Sequence, residues 1–227
     1  PLFVVTSGAE EESALSIWKF IAGKTLYTDP HKIPFVASTY NWLYYYLYGG
    51  VTRFFITALS LDIAWLPTIG RLISLAITII GIAALYWACR ILMPSKSFSE
   101  KLLLPIAMFV FIGPLVGFWA ISLNVELAAT VCTVLAAICF YKFFNDRPKL
   151  ALILTSIFGY LAWCFKQNHI FVAGALILFL LLRKEWRLVV IVCVIFGAGW
   201  AVAVVGGSEA YVKMLFHKSV DTTLLVS

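Results

Sequence analysis

Charge is what this sequence has least of. Asp, Glu, Lys and Arg make up 12% of its 227 residues, about half the roughly 25% of an ordinary soluble domain. Hydrophobic residues make up 63%. Long apolar runs with so few charges exclude a water-soluble fold and imply an integral membrane protein. Cysteine chemistry is also missing. Cys89, Cys132, Cys139, Cys164 and Cys193 all fall inside apolar runs with no Cys-x-x-Cys pair, so they are expected to be buried, inert thiols rather than disulfides or metal ligands. There is no internal repeat and no low-complexity tract. No Met stands first, and Pro1-Leu2-Phe3-Val4-Val5-Thr6 reads as the tail of a cut apolar segment. A fragment is therefore expected, and the missing signal peptide excludes nothing.

What is present begins with a polar stretch from Ser7 to Tyr48. Ser7-Gly8-Ala9-Glu10-Glu11-Glu12 opens it and Gly23-Lys24-Thr25-Leu26-Tyr27-Thr28-Asp29-Pro30 follows. The aromatic block Tyr40-Asn41-Trp42-Leu43-Tyr44-Tyr45-Tyr46-Leu47-Tyr48 closes it. Ala14, Ile17, Trp18 and Ile21 share one helical face, which predicts an amphipathic helix over 10–22 stopped by Gly23. Thirteen residues are too few to span, so this helix is expected in the membrane interface. The block 40–61 has the length of a span, but Arg53 sits within it and Gly49-Gly50 interrupt it. Its five tyrosines and one tryptophan suit the headgroup level, so it too is expected to be interfacial.

Spans are predicted over 71–92, 102–121, 127–144, 150–165, 170–182 and 188–205. The run 150–182 is split by Lys166-Gln167-Asn168-His169, since one helix at ~1.5 Å per residue would far exceed a ~30 Å hydrocarbon core. A lysine in such a turn is costly unless it faces protein or water. Basic residues crowd three alternate loops: Arg90, Lys96 and Lys101, then Lys142, Arg147 and Lys149, then Arg183, Lys184 and Arg187. These loops are cytoplasmic by the positive-inside rule. That placement, and no nucleic-acid partner, accounts for the net charge of +6. The expected fold is an all-α polytopic transmembrane helical bundle in one domain. Its long first extracytoplasmic loop, 7–70, contains the interfacial helices. Three polar groups then share the outer face: the first-loop acids, Asn124-x-Glu126, and Lys166-Gln167-Asn168-His169.

Set in that order, these residues resemble the GT-C type glycosyltransferases that use polyprenyl-phosphate sugars, the group of the protein mannosyltransferases and the aminoarabinose transferase of lipid A. The elements that carry the resemblance are Glu10 or Glu11 at the head of the first loop, Gly23-Lys24-Thr25-Leu26-Tyr27-Thr28-Asp29, Tyr40–Tyr46, Arg71-Leu72-Ile73-Ser74, Asn124-x-Glu126 and Lys166-Gln167. Two departures stand out. Asn41-Trp42 replaces the usual proline before the tyrosines. The second-loop pair begins with Asn, a weaker ligand for a hard cation than a carboxylate.

The resemblance implies the N-terminal part of an inverting sugar transferase in a bacterial inner membrane, with its site on the extracytoplasmic side. The donor would be a polyprenyl-phosphate-linked sugar and the acceptor a lipid, glycan or protein, with membrane lipid as surroundings. A divalent metal is the one cofactor left open. Glu10 or Glu11 would be the catalytic base. Asp29, Tyr40, Tyr44, Asn124, Glu126, Gln167 and His169 would bind substrate, and Lys166 and Arg71 would meet the donor phosphate. Plainer roles compete at each position. Glu10 completes a capping box with Ser7, Asp29-Pro30 forms turns, Glu126 caps a helix, the tyrosines anchor in the interface and Lys166 snorkels. The alternative function is a polytopic transporter or lipid flippase, in which an intramembrane Lys166 marks a substrate or ion site.

Overall fold

The structure, a computed structural model, describes residues 8–28, 38–92, 99–112 and 119–216. Among them all regular structure is helical. In order these are α1 (Gly8–Ile21), α2 (Trp42–Ala58), α3 (Leu66–Leu92), α4 (Ser99–Ile112), α5 (Glu126–Phe143), α6 (Pro148–Phe165), α7 (Phe171–Leu182), α8 (Trp186–Gly206) and α9 (Glu209–Phe216). Short 3-10 turns cover Ile63–Trp65, Trp119–Ile121 and Gln167–Ile170. Four helical stretches are long and apolar enough to cross a membrane: Ile63–Ile91, Glu126–Phe143, Pro148–Phe165 and Trp186–Gly206. The protein is an integral, multi-pass membrane protein.

α5 and α6 form the central hairpin. Ala128, Ala129 and Ala136 on α5 and Ala151, Ser156, Gly159 and Ala162 on α6 are buried, and small side chains allow the close backbone approach that drives helix association in lipid. Thr155 Oγ1 donates across the pair to the Ala136 carbonyl at 3.2 Å. α3 packs on α5, and α8 packs on α6 and α7. The outward faces carry Leu72, Ile79 and Ile80 on α3 and Val190, Val194 and Val202 on α8, all exposed, as lipid-facing side chains should be.

Cations mark one end of the bundle. Lys142 Nζ lies 5.1 Å from the Trp87 ring centroid, joining the last turns of α3 and α5, and Arg183 lies 5.4 Å over Phe144. This is the cytoplasmic end. The opposite, extracytoplasmic end holds α1, α2, the turns at 119–125 and 166–170, and α9.

One expectation is corrected here, and another is only partly covered. Of the expected span 102–121, α4 covers the residues up to Ile112 and a 3-10 turn covers Trp119–Ile121, while 113–118 lie outside the described residues. Gly49-Gly50 and Arg53 do not interrupt the aromatic block, because α2 runs unbroken from Trp42 to Ala58. Its early turns cross the outer end from α6 to α3. The Asn41 side-chain amide donates to the Trp163 carbonyl, and Tyr48 OH meets Ser74 Oγ at 2.9 Å. Tyr44, Tyr45 and Tyr48 point inward and join Ile17 of α1 in the core, along with Leu66, Leu123 and Phe165.

Gly49 explains why a glycine sits inside that helix. A Cβ there would lie 2.3 Å from Phe20 Cδ1, whereas one on Gly50 meets nothing within 4 Å. Gly49→Ala is therefore expected to destabilise the protein by about 1–3 kcal/mol through overpacking. Gly50→Ala should gain about 0.5–1 kcal/mol from helix propensity. Thermal unfolding of the two variants in detergent checks the contrast.

The end of α1 follows its sequence signal. Gly23 has φ +65°, Lys24 N donates to the Lys19 carbonyl at 2.9 Å and Gly23 N to the Phe20 carbonyl at 3.1 Å. Together these bonds form a Schellman stop.

Candidate functional site at the extracytoplasmic end

The three polar groups of the sequence meet at one end of the bundle. Glu10 enters from the first turn of α1 and is 3% exposed. Arg71, one turn into α3, grips it with both arms of its guanidinium: Nε donates to Oε1 at 2.9 Å and Nη2 to Oε2 at 3.0 Å. The Leu123 N–H donates to the same Oε1 at 3.3 Å. A bidentate, charge-assisted pair of this kind fixes position as well as charge. The carboxylate thus reaches α3 and the 119–125 turn, while Ser7, its expected capping-box partner, lies outside the described residues. Glu11, its neighbour, is exposed.

From Leu123 the chain runs into the second polar group. Asn124 Oδ1 accepts from the Glu126 N–H at 2.9 Å, so the asparagine, not the glutamate, caps the start of α5. The Tyr48 and Ser74 hydroxyls are linked to this turn through the Asn124 and Ser122 carbonyls, at 3.5 and 2.7 Å. The Glu126 carboxylate is left for Lys166, with which it forms an ion pair; the two side chains are 25% and 17% exposed. This pair joins α5 to the end of α6. With Asn124 used as a cap and Glu126 facing an ammonium, the Asn-x-Glu pair does not offer a hard cation the cluster of free oxygens it needs. Among the described residues no three His, Cys, Asp or Glu stand together.

Lys166 ends α6 in an extended conformation (φ −143°, ψ 129°) and starts the turn that carries Gln167 and His169. His169 is 8% exposed, and its Nδ1 lies 2.8 Å from the Thr133 hydroxyl of α5. Burial, then the neighbouring Lys166 charge, depress its pKa from 6.5 to about 4. The ring is therefore neutral at neutral pH and serves as a hydrogen-bonding strut. Between pH 6.5 and 4 the unfolded chain binds the proton before the folded one does, so stability falls as pH falls through that window. His169→Gln is expected to flatten this part of the stability–pH curve, read from unfolding midpoints at pH 7, 6 and 5.

Gln167 connects the turn to the first loop. Its amide nitrogen donates to the Thr39 carbonyl at 3.1 Å and touches Met214 Sδ of α9 at 3.0 Å. Beside it lies a cavity of about 180 Å³ lined by Trp163, Gln167, Ile170, Trp200 and Leu215. The 38–40 segment is itself tied down. Ser38 Oγ donates to the Leu26 carbonyl at 2.7 Å, the Tyr40 carbonyl accepts from Tyr27 OH at 3.0 Å, and the Tyr40 N–H donates to Tyr45 OH at 3.2 Å.

Glu12 is the residue that sequence reasoning passed over. It is half-buried beside this segment, and burial raises its pKa above 4.5 against the opposing effect of a hydrogen bond from Thr39. Tyr40 next to it is raised too, first by burial and then by the Glu12 charge. A signal was available: Glu12, Ser16 and Lys19 recur at helical spacing on one face of α1, away from the apolar stripe. All three are buried or half-buried, and Ser16 meets Ser38 at 3.0 Å.

Of the other expected residues, Tyr40 borders the cluster and is partly exposed. Tyr44 is fully buried in the core, where it packs against Tyr48 at 4.6 Å between ring centroids. Asp29 lies outside the described residues. Two contact chains thus lead from α1 to Lys166. One passes through Glu10, Leu123, Asn124 and Glu126, the other through Glu12, Thr39 and Gln167. Comparison with known proteins adds nothing to this geometry: no family model, no curated protein and no solved structure matches the chain.

Proposed function

We propose that this protein is a membrane glycosyltransferase. It moves a sugar from a polyprenyl phosphate to an acceptor hydroxyl on the extracytoplasmic side, with inversion at the anomeric carbon. The observation that carries the reading is the pairing of Arg71 with Glu10 and of Lys166 with Glu126 at one end of a membrane bundle, linked through the Leu123–Glu126 turn. Sugar transfer from a lipid phosphate needs a carboxylate for the acceptor proton and cations for the departing phosphate. Both kinds of group stand together at one end of this bundle, which supports the reading.

Lys166 and Arg71 are the phosphate-binding cations in this reading. Each is neutralised by a carboxylate, so an incoming phosphate competes with Glu126 for Lys166 and with Glu10 for Arg71. The apolar cavity beside Gln167, walled by Trp163, Ile170, Trp200 and Leu215, suits the first isoprene units of the donor. The acceptor O–H gives its proton to a carboxylate while its oxygen bonds to the anomeric carbon. The bond from that carbon to the phosphate oxygen breaks, and its electron pair leaves on the polyprenyl phosphate.

Glu12 is assigned as the base. A base works best with a pKa near the operating pH. Burial moves Glu12 that way, whereas Glu10 spends both oxygens on Arg71 and Leu123. Glu10 then acts as a positioning residue that holds α1 against α3 and the 119–125 turn. The working test is release of polyprenyl phosphate from polyprenyl-phosphate sugars by the full-length protein in proteoliposomes. Lys166→Gln is expected to lower release about 10²-fold, as loss of a group that stabilises transition-state charge does; unchanged release in this variant would refute the phosphate assignment.

A further inference from the structure

At the cytoplasmic end the last turns of α3 and α5 enclose a crevice of about 270 Å³ lined by Ala88, Ile91, Ala137, Ile138, Phe140 and Tyr141. Small side chains at Ala88 and Ala137 leave the recess, and among the described residues every lining group is apolar except the Tyr141 phenol. Tyr141 in this lining is 54% exposed, and Trp87, next to Ala88, is 46% exposed. Two exposed cations stand on the same last turns of α3 and α5. Arg90 adjoins Ile91 and lies 6.0 Å from the Tyr86 ring. Lys142 adjoins Tyr141 and lies over Trp87. The same end adds Arg147, Lys149, Arg183, Lys184 and Arg187 against the acids Asp146 and Glu185.

We propose that this crevice binds an anionic glycerophospholipid of the cytoplasmic leaflet, with an acyl chain in the recess and the headgroup phosphate on Arg90 and Lys142. A water-soluble polar ligand has nothing here to replace its hydration, whereas an acyl chain gives up none. The choice of an anionic headgroup follows from the charge: basic pockets between spans on the cytoplasmic side are what recognise acidic lipid headgroups. The two cations come from different helices, so one bound lipid would tie the cytoplasmic ends of α3 and α5 together. This inference is independent of the sugar-transfer reading.

The test is native mass spectrometry of the full-length protein with phosphatidylglycerol or phosphatidylcholine of matched acyl chains. The wild type is expected to retain phosphatidylglycerol preferentially. The double variant Arg90→Gln/Lys142→Gln should bind it roughly thirty-fold more weakly, with phosphatidylcholine binding unchanged. Ala137→Leu fills the recess and should lower retention with both cations present; should it not fold, the charge variant, which alters only exposed side chains, decides alone. Lys184→Gln, which removes a cation at the same end but not on these turns, should leave retention as it was. Equal retention of the two lipids by the wild type, or an undiminished preference in the double variant, would overturn the site. So would a loss in Lys184→Gln as large as in the double variant, which would indicate general attraction to the basic face.

Discussion

Glu12→Gln is expected to lower sugar transfer by about 10²–10⁴-fold, the range for losing a general base, with the unfolding midpoint nearly unchanged. The substitution keeps the shape and the hydrogen-bonding capacity toward Thr39 and removes only the ability to take a proton. Its pH dependence has a fixed sign. Because burial raises the Glu12 pKa, activity should fall on acidification at a higher pH than the 4.5 of a solvated glutamate. Glu11→Gln, at an exposed position one residue earlier, should retain wild-type turnover. A loss below tenfold in Glu12→Gln, or a larger loss in Glu11→Gln, would move the base elsewhere.

Glu10 should answer in stability first. Glu10→Ala removes both bonds to Arg71 and the bond from the Leu123 N–H, and leaves a partly buried guanidinium without its carboxylate. Breaking a fully buried pair costs about 3–5 kcal/mol. The Arg71 side chain is 28% exposed, so water recovers part of that and about 2–3 kcal/mol is expected. Thermal unfolding of Glu10→Ala, Arg71→Ala and the double variant measures the coupling directly. The double variant should be less destabilised than the sum of the singles, because no orphan charge remains. Strict additivity would mean that the pair does not anchor α1. Weakened activity should accompany the stability loss, since α1 also carries Glu12.

How legible these features were depends on the range over which each signal acts. The spans that became α5, α6 and α8 were readable from apolar length, and the end of α1 from Gly23, because those signals are local. The gathering of basic residues at one end was readable too, because alternate loops around Arg90, Lys142 and Arg183 sort without tertiary information. The course of α2 was not readable. Gly49-Gly50 reads as a break in isolation, and only contact with Phe20 shows that the helix needs one glycine for close packing.

That Glu10, Arg71, Asn124, Glu126, Lys166, Gln167 and His169 stand at one end of the bundle was readable, because topology put them on one face. Their pairing was not. That Glu10 turns to Arg71 and Glu126 to Lys166 depends on how α1 and α5 are rotated, and rotation follows from packing that a single sequence does not state. Glu12 was missed for the same reason. Three consecutive glutamates look alike in sequence, yet at 100° per residue they point toward α3, solvent and the 38–40 segment.

The central claim is chemistry on a lipid-linked sugar, and a double label tests it most directly. Full-length protein in proteoliposomes is given polyprenyl-phosphate sugars labelled in the sugar and in the polyprenyl chain, and both labels are followed with time. The account predicts that the sugar label leaves the lipid, polyprenyl phosphate accumulates in equal amount, and both stop in Glu12→Gln and Lys166→Gln. Donor that crosses the bilayer with both labels still joined, and no polyprenyl phosphate formed, would contradict it and identify a transporter.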